Sequence, residues 1–320
     1  MTPNLYNLKQ SSLDVKNYYN HTAATFRGLR GQLSSSYQFT GGQYKGGLGI
    51  GQMSTADIKN RYQNNKTDSL SMQLKRIGYN TYFQSSNNSN ENLSLMLKTL
   101  GFDQLFGSND LDNMEKWSVN ELSDKDSYRL LFKKINTIKE PFFYGVYTVG
   151  THVGLDSPDH KYGNGKNPYL NKFSNMDLQF GEFIKKFNES TISDNTTLIF
   201  TTDHASYPDK GFISTFKTQS SYFSDRIPLI IYTKGMTPSI FNAHGLNSLT
   251  LAPTILDIVG TTDVKNHFIE TSLFDSGEHT IFGCTTAIGD QYLNTCSEHL
   301  IPVDDNKIIS EIKKLQSLGG

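Results

Sequence analysis

Thr196-Thr197-Leu198-Ile199-Phe200-Thr201-Thr202-Asp203-His204-Ala205 is the segment from which the fold can be read. Two threonines lead into an apolar run, which suits a strand buried on both faces. The run ends in Asp203-His204. Open α/β sheets bind their ligands at the carboxyl ends of strands. An adjacent carboxylate and imidazole supply one hard oxygen and one nitrogen, a donor pair suited to Zn²⁺ or Mn²⁺. In isolation the same pair reads more simply as an Asp capping a turn beside a surface His, so the rest of the chain must decide.

Other strands and helices alternate around this one. Residues 68–77 carry helical periodicity and lead into the strand-like Gly78-Tyr79-Asn80-Thr81-Tyr82-Phe83. The polar stretch 85–92 precedes a helix over Leu93–Leu100, ended by Gly101. A helix is predicted near Asp126–Ile138, then a strong strand over Phe142–Val149 that ends in Gly150-Thr151-His152. Tyr169–Phe187 is a long amphipathic helix feeding the opening strand. Ile227–Tyr232 reads as a buried strand, Ser248–Val259 as a helix, 279–303 as small strands and loops, and Asp305–Leu318 as a terminal helix. The alternation predicts one parallel-rich α/β sheet with helices on both faces. A single domain over 1–320 is expected, with a main part over about 1–262 and a smaller C-terminal part with its own subsheet over about 263–320.

The second chemically notable stretch is His21-Thr22-Ala23-Ala24-Thr25-Phe26-Arg27-Gly28-Leu29-Arg30-Gly31-Gln32-Leu33. Phe26, Leu29 and Leu33 are spaced for one face of a helix, which puts Thr25 at or near its N-cap. A hydroxyl there sits in the positive field of the helix end, beside backbone N–H groups that suit a phosphate. A metal on the same oxygen would make it a nucleophile. Taken alone, Thr25 reads as a simple cap. The Gly-rich, polar stretch 36–62 reads as a loop over this helix, and its glycines match neither a P-loop nor a dinucleotide fingerprint.

Charges balance, with 30 basic and 31 acidic residues, so nothing points to nucleic acid. The longest apolar run is far short of a membrane span, and no signal-peptide pattern follows Met1. Cys284 and Cys296 are the only cysteines. Their spacing leaves a disulfide and two unrelated thiols about equally open.

Together these pieces resemble the alkaline-phosphatase and sulfatase superfamily, in its branch of lipoteichoic acid synthases and phosphoglycerol and phosphoethanolamine transferases. The resemblance covers nearly the whole chain. It rests on TPNLYNL at the start, Thr25-Phe26-Arg27-Gly28, GYNTYF, Leu100-Gly101-Phe102-Asp103, and the strand from Pro141 to His152. It continues through the helix pattern Asp177-Leu178-Gln179-Phe180-Gly181-Glu182-Phe183-Ile184, then Asp194-Asn195-Thr196 through Asp203-His204, and Leu251-Ala252-Pro253-Thr254-Ile255-Leu256. It implies that Thr25 is nucleophile and metal ligand, that Asp203 and His204 are ligands of a divalent metal (Mn²⁺ or Zn²⁺), and that His152 contacts the phosphoryl oxygens. Arg27 and His244 are candidate substrate contacts, with a solvated helix face and a surface turn as their simpler readings. His21 and His160 read as structural or exposed. The implied reaction moves a phospho-headgroup from a lipid donor to an envelope glycan or lipid through a phospho-threonine, at the extracytoplasmic face of a bacterial membrane, where Cys284 and Cys296 could pair.

Two departures shape the expectation. The family carries an acidic metal ligand, usually Glu, on a first strand upstream of the TPNL-like segment, with membrane helices before it. Here the reading begins at TPNL, so a sheet short of a central strand and weaker metal affinity are expected. Second, the lipoteichoic acid synthases hold an Asp, a Trp and an Arg in the loop that here reads Ser86-Asn87-Asn88-Ser89-Asn90-Glu91-Asn92. That points away from glycerol phosphate toward a decorating transferase. The alternatives are a sulfatase-like phosphodiesterase and a non-catalytic remnant or glycan-binding module. Sulfate-ester cleavage would need a Cys or Ser followed by x-P-x-R, which HTAATFR lacks.

Overall fold

The computed structural model describes residues 1–38, 53–63, 68–113, 117, 121–218, 223–261 and 265–319. Residues 39–52 of the Gly-rich stretch and the boundary expected near residue 262 therefore lie outside the described residues, while Thr55–Ile58 of that stretch forms a helical turn where the sequence predicts a loop, started by the Ser54–Asp57 capping box. The elements run α1 (Pro3–Lys9), β1 (Leu13–Lys16), α2 (Thr25–Ser34), α3 (Thr55–Ile58), α4 (Leu70–Arg76), β2 (Asn80–Gln84), α5 (Asn92–Lys98) and β3 (Gln104–Phe106). They continue with α6 (Asp124–Ile135), β4 (Phe142–Val146), α7 (Pro168–Glu189), β5 (Thr197–Thr201), α8 (Lys210–Phe216), β6 (Leu229–Thr233) and β7 (Ser239–Asn242). Last come α9 (Leu251–Ile258), β8 (Thr285–Ile288), β9 (Gln291–Asn294), β10 (Ile301–Pro302) and α10 (Asn306–Leu318).

The protein is an α/β fold, but its main strands form two sheets instead of one. One has the order β5-β6-β1-β7 and the other β3-β2-β4. The second is wholly parallel; in the first, β1 and β7 pair in parallel while β6 runs antiparallel to both β1 and β5. Period-two alternation explains why helices cover both faces. Leu229 and Ile231 of β6 enter the core shared with α2, α4, α5 and α9. Ile230 and Tyr232 enter the opposite core, with Leu8 of α1, Leu131 of α6 and Phe180, Phe183 and Phe187 of α7.

Both cores run beneath both sheets. Phe143 of β4 and Ile199 of β5 pack on the first, while Tyr144 and Phe200 pack on the second. Strands β4 and β5 pack on the same two cores, yet among the described residues β4 pairs only with β2 and β5 only with β6. At their starts the Asn195 amide donates to Glu140 Oε2 at 3.3 Å, a side-chain link where a ladder would have backbone bonds. The sequence predicts β5 buried on both faces; instead every residue of β4 and β5 keeps some exposure, whereas four of the five β6 residues are buried. The reason is the unpaired edge that each strand turns to the seam between the sheets.

Helix starts follow local chemistry. The Asn167 side chain accepts from the N–H groups of Tyr169 and Leu170 ahead of Pro168. Ser123 caps α6, with acids in its first turn and lysines in its last. The C-terminal part holds the antiparallel sheet β10-β9-β8 and a Cys284–Cys296 disulfide. It clamps the segment that leads to α2. Ala287 N–H donates to His21 O at 2.8 Å, the Thr22 hydroxyl donates to Ala287 O at 2.8 Å, and the Tyr37 hydroxyl donates to Thr285 O at 2.6 Å.

Candidate active site

The candidate site lies at the carboxyl ends of β1, β5 and β4, on the mouth of the seam. Thr25 is the first residue of α2, and Ala24 is its N-cap. The first intrahelical bond runs from Gly28 N–H to Ala24 O at 2.9 Å. A helix leaves its first N–H groups without intrahelical acceptors, so this end favours an anion. Gly28, one turn into α2, permits the approach of β5: an added Cβ there would meet Asp203 O at 2.2 Å.

Thr25 Oγ1 lies 3.4 Å from His204 Nε2. His204 Nδ1 lies 2.7 Å from Ala205 O. A carbonyl can only accept, so Nδ1 carries a proton, and in the neutral ring Nε2 presents a lone pair. Asp203 Oδ2 lies 3.3 Å from that same Nε2, is buried and makes no hydrogen bond. A carboxylate oxygen, an imidazole nitrogen and a hydroxyl oxygen thus converge. A divalent cation would resolve this arrangement, and the donor set fits one. Among the described residues no cluster of three His, Cys, Asp or Glu forms here.

Tyr147, just beyond β4, lines the same cavity as Thr25. Burial, and next the nearby Asp203 carboxylate, push its phenol well above the usual range. His152 joins Thr25 in lining a cavity of about 750 Å³. The His152 Nδ1 lies 2.8 Å from Val153 O, which leaves Nε2 for a ligand. The Lys172 ammonium holds the same turn by donating to His152 O at 2.9 Å.

Arg27 does not line that cavity. It is 1% exposed, its Nε donates to Ala23 O at 2.7 Å, and its guanidinium lies 4.7 Å from the centre of the Phe26 ring. Burial lowers its pKa to about 10. Arg30 is buried as well and donates to Thr99 Oγ1 at 2.8 Å. A solvated helix face is the simpler sequence reading for Arg27, and its neighbour Arg30 on the same helix is no more solvated. The helix is instead buried from Phe26 to Ser34, because β5, α4, α5, α9 and the C-terminal part all press on it. His244 follows β7 at the same sheet edge, exposed and with φ of 51°. Strands β6 and β1 stand between it and β5, a separation of roughly 14 Å at ordinary strand spacing. His21 is buried, with Nδ1 2.6 Å from Ser248 Oγ, and burial holds its pKa down at about 3.

Three site residues escaped the sequence reading: Gly28, Tyr147 and Glu121. Glu121 accepts from the Asn87 amide at 2.8 Å and faces the cavity from a stretch without periodicity. Only its long-range partner reveals it.

The comparisons agree on the family. A family model described as Sulfatase matches residues 1–261. An arylsulfatase of Hemicentrotus pulcherrimus is 29% identical over 132 residues, which is 38% of this chain and 24% of that protein, so the match spans about a quarter of the relative's length. A protein of the alkaline phosphatase superfamily from Vibrio parahaemolyticus superposes with a TM-score of 0.74 at 19% identity, over 99% of this chain and 79% of that one. The lipoteichoic acid synthase LtaP from Listeria monocytogenes gives 0.67 at 15% identity, over 99% and 84%. Both likenesses are of fold. With the family model covering residues 1–261, this chain belongs to the sulfatase family.

Proposed function

We propose that the chain is a metal-dependent phosphotransferase that moves a phospho-headgroup from a lipid donor to an envelope glycan or lipid. The observation that supports it is the convergence of Thr25 Oγ1, His204 Nε2 and Asp203 Oδ2 at a helix N-terminus. Thr25, Asp203 and His204 would hold a Mn²⁺ or Zn²⁺ ion, which supplies positive charge for the phosphoryl oxygens and lowers the pKa of the hydroxyl beside it. Thr25 Oγ1 loses its proton to solvent and bonds to phosphorus. The P–O bond to the lipid alcohol breaks, and that alcohol leaves after taking a proton from water. An acceptor hydroxyl then attacks the phospho-threonine, gives up its proton and frees Thr25. His152 and the α2 N–H groups would steady the phosphoryl oxygens.

Water in place of the acceptor makes the same site a phosphodiesterase, a reading that the open cavity beside Thr25 favours. A bonded Cys284–Cys296 pair supports an oxidising, extracytoplasmic compartment. No described helix is long and apolar enough to cross a membrane.

The test is turnover of a fluorescent phospholipid with Mn²⁺ or Zn²⁺, with and without a sugar acceptor. Thr25→Ala should abolish turnover while leaving metal binding measurable by calorimetry. Turnover that survives this change removes Thr25 from its role. A chain that binds no metal and turns over nothing is the non-catalytic remnant.

A further inference from the structure

The turn that carries His152 is held by two buried side chains, one an acid and one a base. Asp124, the first residue of α6, is fully buried, and its Oδ1 accepts from Gly150 N–H at 3.2 Å. Lys172 of α7 is buried too, and its ammonium donates to His152 O at 2.9 Å. Helices α6 and α7 pack on each other. The acid thus takes an N–H and the ammonium a carbonyl, at two points of a turn closed by His152 N–H donating to Val149 O at 2.9 Å. The approach is close: a Cβ added to Gly150 would meet Asp124 Oδ2 at 2.1 Å.

Both burials are costly. Asp124 Oδ2 makes no hydrogen bond among the described residues, and a buried oxygen left unbonded lowers stability. Burial raises the Asp124 pKa to about 7, the Gly150 N–H opposes that shift, and the Asp159 charge adds to it. A neutral carboxyl still offers a C=O oxygen to Gly150, so protonation does not break the bond. Burial lowers the Lys172 pKa, and its ammonium lies 4.5 Å from the centre of the Tyr169 ring and 5.9 Å from that of Phe173. Val149 and His152 line the cavity beside Thr25. Asp124 and Lys172, being buried, reach a ligand there only through the turn. A contact displaced by about 1 Å can cost far more than the bond that displaced it is worth.

Resting on the reading of His152 as the phosphoryl contact, we infer that Asp124 and Lys172 are positioning residues. Through Gly150 N–H and the His152 carbonyl they set how the His152 ring enters the cavity, and neither touches the ligand.

Calorimetry of inorganic phosphate on the full chain with Mn²⁺ tests this without turnover. Asp124→Ala and Lys172→Met should each weaken phosphate about tenfold. Asp124→Asn keeps an oxygen for Gly150 N–H and should stay within about twofold of the native chain. His152→Ala should itself weaken phosphate about tenfold, and in that background the other two changes should weaken it no further. Losses that add to that of His152→Ala overturn the inference, because they report a general loosening. Phosphate binding untouched by His152→Ala also overturns it, as does an Asp124→Asn chain that binds as weakly as Asp124→Ala. The melting temperature controls for folding, and if Asp124→Ala does not fold, Lys172→Met decides by the same comparison. The expected binding pattern in a chain without turnover would support the positioning role while sinking the transferase reading.

Discussion

Strands β6 and β4 show two ways of sitting in one α/β protein. Strand β6 is flanked by β5 and β1 and is buried at four of five positions. Among the described residues, strand β4 is paired with β2 alone, and no residue in it is fully buried. Both send side chains into the same apolar cores. The difference teaches that apolar packing on the helices can hold two sheets in line where a backbone ladder is missing. The candidate site straddles that division: Thr25, Asp203 and His204 belong to the β5-β6-β1 side, while Tyr147, His152 and Glu121 belong to the β4 side.

If packing on α7 replaces the missing ladder, Phe180 is the place to break it. Its ring lies 4.9 Å from that of Phe200 and 5.8 Å from that of Tyr128 of α6. Phe180→Ala should cost about 3–5 kcal/mol, read as a shift in the denaturation midpoint. A loss below about 1 kcal/mol would show that the sheets are held by something other than this core.

The closed side can be strained through Gly28. Alanine there meets Asp203 O and must push α2 and β5 apart. A cost of about 1–3 kcal/mol is expected, together with metal affinity about tenfold weaker on calorimetry. Unchanged metal binding would detach the helix start from the ligand pair.

The β4 side can be read through pH. Asp124 is fully buried, accepts from Gly150 N–H at 3.2 Å, and burial raises its pKa to about 7. Its ordinary value is about 4, so between pH 4 and pH 7 the folded chain holds a proton that the unfolded chain has lost. Stability attributable to Asp124 should therefore fall as pH rises through that window, by about 4 kcal/mol across those three pH units. Asp124→Asn should flatten that part of the melting curve against pH, and an unaltered curve would remove Asp124 as its source.

The smallest effect is expected at the exposed end of the seam. Asn195→Ala removes the bond to Glu140 and should cost about 0.5 kcal/mol. A cost above about 2 kcal/mol would mean that the two strands depend on that bond for alignment.

Much of this was legible in the sequence. The long periodic helices α2, α7 and α10 and the apolar strand β6 read directly, because their patterns extend over a full face. Strands β1, β3 and β7 did not. They are three or four residues long and mostly polar or exposed, and their pairing partners lie elsewhere in the chain. Helix α8 has no buried residue and so leaves no stripe to detect. At the site, Asp203-His204 and Thr25 carry local signatures. Arg27 misled because its position in the helix resembles a surface one, and only tertiary packing buries it. Gly28 was visible as a residue of FRGLRG, but the chain that crowds it lies 175 positions away.

The clamp on the segment before α2 has a consequence for synthesis. The Thr22 hydroxyl donates to the carbonyl of Ala287, 265 residues later. A contact that distant forms late, because the intervening chain must first be made and closed into a loop. The Thr25 segment is thus made well before the strand that fixes it, and its geometry stays unset until β8 has followed.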